Sequence, residues 1–240
     1  MALALSPLAR GRLTARLAQS AAEVEEALAL RRLCFRSLRG LPSGDEGDGH
    51  DALSDHLLVR HGTDLLATCR LRLLTGADLA HSYTGQFYDL AALAPLPALE
   101  LGRFCLAPSA ASDPDPLRLT FAALTRLVDA TGAGLLLGCS SFEGTDLSPY
   151  RAALAPFADG LRPDTPAIAA ETTPVLAPVR GDGGLPLPPL LRHYLALGGQ
   201  VSRDAVIDRV LVTCHVLTVL PIAAIPAPHA KALRRLAADA

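Results

Sequence analysis

Charges stand at four places where an otherwise apolar chain has no packing use for them. The strand-like run "ALELGRFCL", Ala98 to Leu106, carries Glu100 and Arg103 near its centre. A carboxylate withdrawn from water has its pKa raised and becomes a better proton acceptor, whereas an adjacent guanidinium holds it ionised. Glu100 therefore reads as a general base or as half of a scaffold ion pair, and the residue types leave both open. Gly102 between them suggests a bulge that opens backbone groups. In "AAEVEEALALRRLCFRSLR", Val24, Ala27, Leu28, Cys34, Phe35 and Leu38 recur at helical spacing on one face, and Arg31 falls inside that stripe. A guanidinium on an apolar face needs a carboxylate to offset its burial. The loop that follows offers Asp45, Glu46, Asp48 and Asp51, the last three spaced as Glu-x-Asp-x-x-Asp. Arg70, in "LLATCRLRLL", alternates onto the side of Leu66, Thr68 and Arg72 and is a second partner through forked pairing. The loop is either a solvated acidic turn or an ordered ion cluster closed by Arg31 and Arg70.

Alternating elements must position these groups. A helix with an acidic first turn ends before Gly40 and Pro42; "DHLLV", "HGTD" and "LLATCRLRLL" follow as a hairpin. A short helical piece around "FYDLAAL" leads to the Glu100 strand. The spacing then predicts a helix over "DPLRLTFAALTRLVDATG" with a glycine stop, a buried strand "AGLLLGCSSF", and a helix "SPYRAALAPFADGL". A Pro/Gly-rich connection at about 162–189 precedes the helix "PPLLRHYLALG". Two apolar β-prone runs, around "AVIDRVLV" and "HVLTVL", and a last helix form a C-terminal extension. This order predicts an α/β fold, a central mixed sheet flanked by helices, in a single domain over 1–240. In such sheets ligands sit where strands part.

Composition narrows the function classes. With half of 240 residues apolar, 19% charged and a net charge of -2, the chain has no basic field for nucleic acid. Of 22 basic residues all but Lys231 are arginine. The five cysteines stand singly in apolar runs without a CxxC pair and read as reduced packing residues. The histidines are dispersed without metal-ligand spacing. The apolar run at the N-terminus is too short for a signal-peptide core, and the stretch from Val210 is broken by His215, Pro221 and Pro226. These features predict a globular cytosolic protein with neither a disulfide framework nor a metal site.

Taken in order, Arg31 and Phe35 in a helix, Glu46, Asp48 and Asp51 in a loop, Arg70 in the next strand, Phe87 before "YDL", and Glu100 and Arg103 in a strand resemble the acyl-homoserine-lactone synthases of the GNAT superfamily. "SDHLLV", "FYDLAAL", "LELGRFCL", "LGCSSFEGTD" and "LPPLLRHYLALG" are similar to segments of the ornithine N-alpha-acyltransferases that make lyso-ornithine lipid. The resemblance runs from about Arg31 to Asp208. It departs after "AVID", where that family continues with a polar stretch and this chain reads "RVLVTCHVLTVLP".

The resemblance implies a GNAT-like sheet and transfer of a 3-hydroxy fatty acyl group from acyl carrier protein to the alpha-amine of ornithine. The acyl-phosphopantetheine comes with the carrier, so no cofactor is held, and the product implies a peripheral contact with the inner face of the membrane. Glu100 and Arg103 are the catalytic candidates; Arg31, Phe35, Glu46, Asp48, Asp51, Arg70 and Phe87 bind substrate or form a structural ion cluster. The strand-to-helix connection "APSAASDPDP" has Asp113 and Asp115 where enzymes using coenzyme A place a glycine-rich pyrophosphate cradle. Arg32 and Arg36, with Arg10, Arg12, Arg16 and Arg39, are either a docking face for an acidic carrier or a solvated face. Two other readings stand beside this one: a synthase of acyl-homoserine lactones or of another acyl amino acid, and a non-catalytic lipid-binding module at the membrane surface.

Overall fold

Ser20 opens the first helix. Its hydroxyl accepts from the Glu23 amide at 3.3 Å, and α1 runs over Ala21–Phe35. Glu23 reaches back to the Gln19 amide at 2.7 Å, so two otherwise orphaned donors at the helix start are satisfied. At the other end Arg36 leaves the helical region, a 3-10 turn Ser37–Arg39 follows, and Gly40 takes a left-handed φ of 65°. That break corrects the expected stripe: Ala27, Leu30 and Arg31 are its buried members, while Leu38 swings out to 59% exposure.

The computed structural model describes residues 3–44, 46–176 and 184–240. Asp45 of the acidic loop and 177–183 of the expected Pro/Gly-rich connection lie outside the described residues. The chain divides into two compact units.

The first unit comprises Met1–Leu73, Leu99–Ala133 and Ala227–Ala240. Its strands β1 (Leu8–Arg10), β2 (Leu13–Leu17), β3 (Asp55–His61), β4 (Asp64–Leu74) and β5 (Ala98–Leu106) are hydrogen-bonded neighbours in that order. The first four pair antiparallel. β1 and β2 are absent from the sequence reading; Gly11, at φ 60°, makes the tight turn between them. In the β3–β4 hairpin the register shifts by one between Val59 and Arg60, a bulge that decides which side chains meet farther along. Helix α2 (Asp115–Thr131) buries Leu119, Ala123, Leu127 and Val128 and stops at Gly132, φ 67°. The C-terminal helix α5 (Ala227–Ala238) lies on it, tied by Arg126 donating to the Ala237 carbonyl at 2.7 Å.

The second unit comprises Leu74–Ala98 and Gly134–Pro226. Here β6 (Leu135–Glu143) is followed by three elements of the expected "SPYRAALAPFADGL" helix, which is not continuous. Only α3 (Arg151–Leu154) is α-helical, flanked by 3-10 turns, with Phe157 non-helical. Pro156 lacks the N–H that the helix ladder needs. Then come β7 (Leu161–Arg162), β8 (Thr172–Pro174), α4 (Pro189–Ala196), β9 (Gln200–Ser202), β10 (Asp204–Asp208) and β11 (Thr213–Pro221). The order is β6-β11-β10-β8, with β9 on β11 and β7 parallel to β9. β11 carries Val216, Leu217 and Val219 fully buried. The expected strand "AVIDRVLV" ends at Asp208, whose carboxylate accepts from the Val210 and Leu211 amides and turns the chain. Among the described residues no helix is long and apolar enough to cross a membrane.

Candidate functional site

The acidic loop is ordered, and two arginines from different elements order it. The Asp51 carboxylate accepts from the Asp48 amide at 2.8 Å, and Asp48 accepts in turn from the His50 amide at 2.9 Å. Arg31, only 1% exposed, forks onto Asp51, Nη1 to Oδ1 at 2.6 Å and Nη2 to Oδ2 at 3.4 Å, and also donates to the Glu46 carbonyl oxygen. Arg70 on β4 donates through Nη1 to Asp48 at 2.5 Å and to Asp51 at 3.1 Å. Of the two readings, the structure displays the ion cluster. Each guanidinium meets more than one acceptor, which offsets desolvation better than a single pair does.

Burial alone would raise Asp48 and Asp51, but both are held below the usual carboxylate range. Burial is the largest single influence at each, and it is overcome at Asp48 by Arg70 together with the His50 amide and at Asp51 by Arg31, the Asp48 amide and Arg70 in combination.

Arg103 supplies the third cation. It lies within 3.5 Å of Asp48 and 3.9 Å of Glu46. Its backbone is left-handed, φ 54°, in the middle of β5, a conformation that costs a non-glycine residue about 1 to 3 kcal/mol. Next to Gly102, where the sequence suggests a bulge, the residue that leaves the extended run is Arg103. Gly102 lies under the Arg70 guanidinium, with Nε 3.8 Å from where a Cβ would stand. Glu100 sits two residues back on the same strand, 5% exposed.

Arg36 turns inward to pair with the buried Glu46 carboxylate and passes close over Gly44. It therefore belongs to the ion cluster. Arg32 stays on the outer face, paired with the exposed Glu25 at 2.5 Å. Arg10 and Arg16 are engaged with Asp115 and Glu23. Phe35 packs against the apolar floor made by Leu30, Cys105 and Ala107. Phe87 belongs to the second unit, where its ring stands edge-on to Tyr83 and to His215, centroids 5.3 and 4.8 Å apart.

One member of the cluster had no sequence signal of its own. His56, 2% exposed, is paired in register with Arg70, and its Nε2 lies 3.4 Å from the Asp51 carbonyl and 3.8 Å from its carboxylate. Burial lowers its pKa, against the opposing pull of Asp51, so the ring is neutral near pH 7. A two-residue turn with regular pairing would have set Cys69 opposite His56; the bulge at Val59/Arg60 substitutes Arg70. Among the described residues no group of three or more His, Cys, Asp or Glu side chains is arranged to hold a metal ion.

A strand-borne carboxylate beside a forked arginine–carboxylate network can accept a proton and hold a loop in place without covalent chemistry. Comparison with known proteins agrees with such an activity. Residues 30–119, which include the cluster, match a family model described as an acetyltransferase (GNAT) domain. The chain is 30% identical to the L-ornithine N(alpha)-acyltransferase of Rhizobium meliloti (strain 1021), across 88% of this chain and 80% of that one. To the L-ornithine N(alpha)-acyltransferase of Rhodobacter capsulatus it is 31% identical, across 89% and 92%. In fold it is similar to FeeM, an N-acyl amino acid synthase from uncultured soil microbes, with a TM-score of 0.56 at 13% identity over 88% of this chain and 93% of that chain. Identity at this level, sustained over nearly nine-tenths of the length, means that the chain belongs to the L-ornithine N(alpha)-acyltransferase family and is an amino-acid N-acyltransferase with a GNAT-like fold.

Proposed function

We propose that the chain acylates the alpha-amine of ornithine with a 3-hydroxy fatty acyl group carried as a thioester on acyl carrier protein. The observation that carries this reading is the relation, over nearly nine-tenths of the chain, to enzymes named for ornithine. The amine attacks the thioester carbonyl, a C–N bond forms, the C–S bond breaks, and sulfur departs as the phosphopantetheine thiol. The proton lost by the amine goes to Glu100, directly or through one water. Arg103, with its left-handed φ of 54°, breaks the extended run of β5 three residues beyond Glu100. Arg31, Arg70 and Arg103 hold the Glu46–Asp51 loop in the alignment that the attack requires.

The choice of donor has separate support. The connection between β5 and α2 is a 3-10 turn, Pro108–Ala110, followed by Asp113 and by Asp115, the first residue of α2. Asp115 is taken up by Arg10 and Arg118, and the Asp113 carboxylate caps its amide where a pyrophosphate would otherwise accept. A carrier protein brings one phosphate, and its acidic surface is complementary to exposed Arg12 and to Arg32. An amphiphilic product places the enzyme at the cytoplasmic face of the membrane, in peripheral contact with it.

The test offers the purified chain the same acyl group on carrier protein and on coenzyme A. Carrier thioesters should give a kcat/KM at least about tenfold higher, an advantage that shrinks as salt screens the docking charges. Equal use of both donors contradicts the donor assignment.

A further inference from the structure

The ion cluster's neighbour is a small apolar floor in which Cys105 is buried with Leu30 and Ala107, and Cys34 packs against them. Cys34 is three residues beyond Arg31 on α1, and Cys105 two residues beyond Arg103 on β5. The Cys34 thiol donates to the Leu106 carbonyl oxygen, Sγ to O 3.3 Å, which sets its sulfur beside Cys105. Both side chains therefore lie in the same small apolar floor between α1 and β5. They are not equivalent: Cys34 is half-buried and reachable, whereas Cys105 is 5% exposed. The influence of Cys105 lowers the Cys34 thiol from its ordinary pKa despite burial, while Cys34, and then burial, push Cys105 up. A reachable, more acidic thiol beside a shielded, protonated one is the arrangement of an attacking and a resolving cysteine. Cys69 on β4, 1% exposed, is pushed up by burial and is an internal control.

We infer that Cys34 and Cys105 form a redox-modifiable pair, in which a hydroperoxide oxidises Cys34 and Cys105 then closes a disulfide that joins α1 to β5. Hydrogen peroxide gives one oxygen to the Cys34 sulfur, forming a sulfenic acid, and the other leaves as water. The Cys105 sulfur attacks the sulfenic sulfur; the S–S bond forms as the S–O bond breaks, and a second water departs. The two sulfurs together lose two electrons, which the peroxide gains. The new covalent bond ties α1 directly to β5. Arg31 and Arg103, which grip the acidic loop from those two elements, are then displaced relative to each other.

The full-length chain, reduced and then treated with a modest excess of hydrogen peroxide, is denatured, weighed intact by mass spectrometry, and then alkylated and mapped. Free thiols should fall from the five of the reduced chain to three, the intact mass should fall by two hydrogens, and one cross-linked peptide should join Cys34 to Cys105. Cys34→Ser and Cys105→Ala should each abolish the cross-link. Acyl transfer should fall at least about fivefold on oxidation and return with a dithiol reductant, and Cys34→Ser should be insensitive. The mass readout needs no substrate, so its outcome is independent of the ornithine reading, on which only the activity arm rests. Cys34 driven to sulfinic acid without a cross-link, or random loss among all five thiols, overturns the pair. A complete cross-link with unaltered transfer overturns its control of the loop.

Discussion

Glu100→Gln lowers turnover by about 10²-fold or more and leaves the fold in place. The substitution keeps the size of a side chain that is 5% exposed in β5 and removes only its capacity to take a proton. Proton removal from an attacking amine is needed in the transition state, so the loss should fall on kcat with little change in the KM of either substrate. Circular dichroism and a melting curve close to those of the unsubstituted chain show that the amide has kept the contacts the carboxylate makes. Unchanged turnover removes Glu100 from the chemistry. An unfolded variant makes it a scaffold residue whose charge the strand requires.

The second large effect is on stability. Arg31→Ala should cost about 3 to 5 kcal/mol, because it leaves the Asp51 carboxylate and the Glu46 carbonyl without the guanidinium that offsets their burial. Arg31→Lys should recover little, since a point charge cannot reproduce the fork onto both Asp51 oxygens. Acid should strip the same network. His56 has a lowered folded pKa, so its neutral form costs nothing above about 6.5, and stability falls as pH drops below that value and the unfolded chain binds the proton first. Asp48 and Asp51 are also lowered; their contribution is complete above about 3.9 and is lost as pH falls through their folded pKa values. Denaturant unfolding from pH 8 to 3 should therefore show two declines, and His56→Gln should remove the upper one. A flat profile, or an Arg31→Ala chain of unaltered midpoint and rate, contradicts an ordered loop.

Much of the site was legible because burial constrains charge. Arg31 fell in an apolar stripe and so required acceptors, and the loop after its helix supplied Asp51 and Glu46. Period-two alternation placed Arg70 on the side from which it reaches Asp48. What escaped the sequence depended on contacts between distant segments or on one-residue shifts in register. Arg36 shares helical spacing with Arg32, yet the break at the end of α1 turns it to Glu46 while Arg32 stays outside. His56 meets the cluster only because the bulge moves its partner from Cys69 to Arg70. The left-handed backbone at Arg103 had no signal in its residue type. β1 and β2 were missed because their alternation, Leu8 and Leu13 buried with Ala9 and Thr14 exposed, spans too few residues to stand out.

The central claim concerns the acceptor, and a competition assay tests it most directly. The purified chain is given 3-hydroxyacyl carrier protein with ornithine, glutamine and S-adenosylmethionine at equal concentration, and the products are identified by fragmentation. The account predicts that acyl-ornithine dominates, with the acyl group on the alpha-nitrogen and the side-chain amine unmodified. Dominant acyl-glutamine or acyl-homoserine lactone, or no acylated amine at all from folded enzyme, contradicts it.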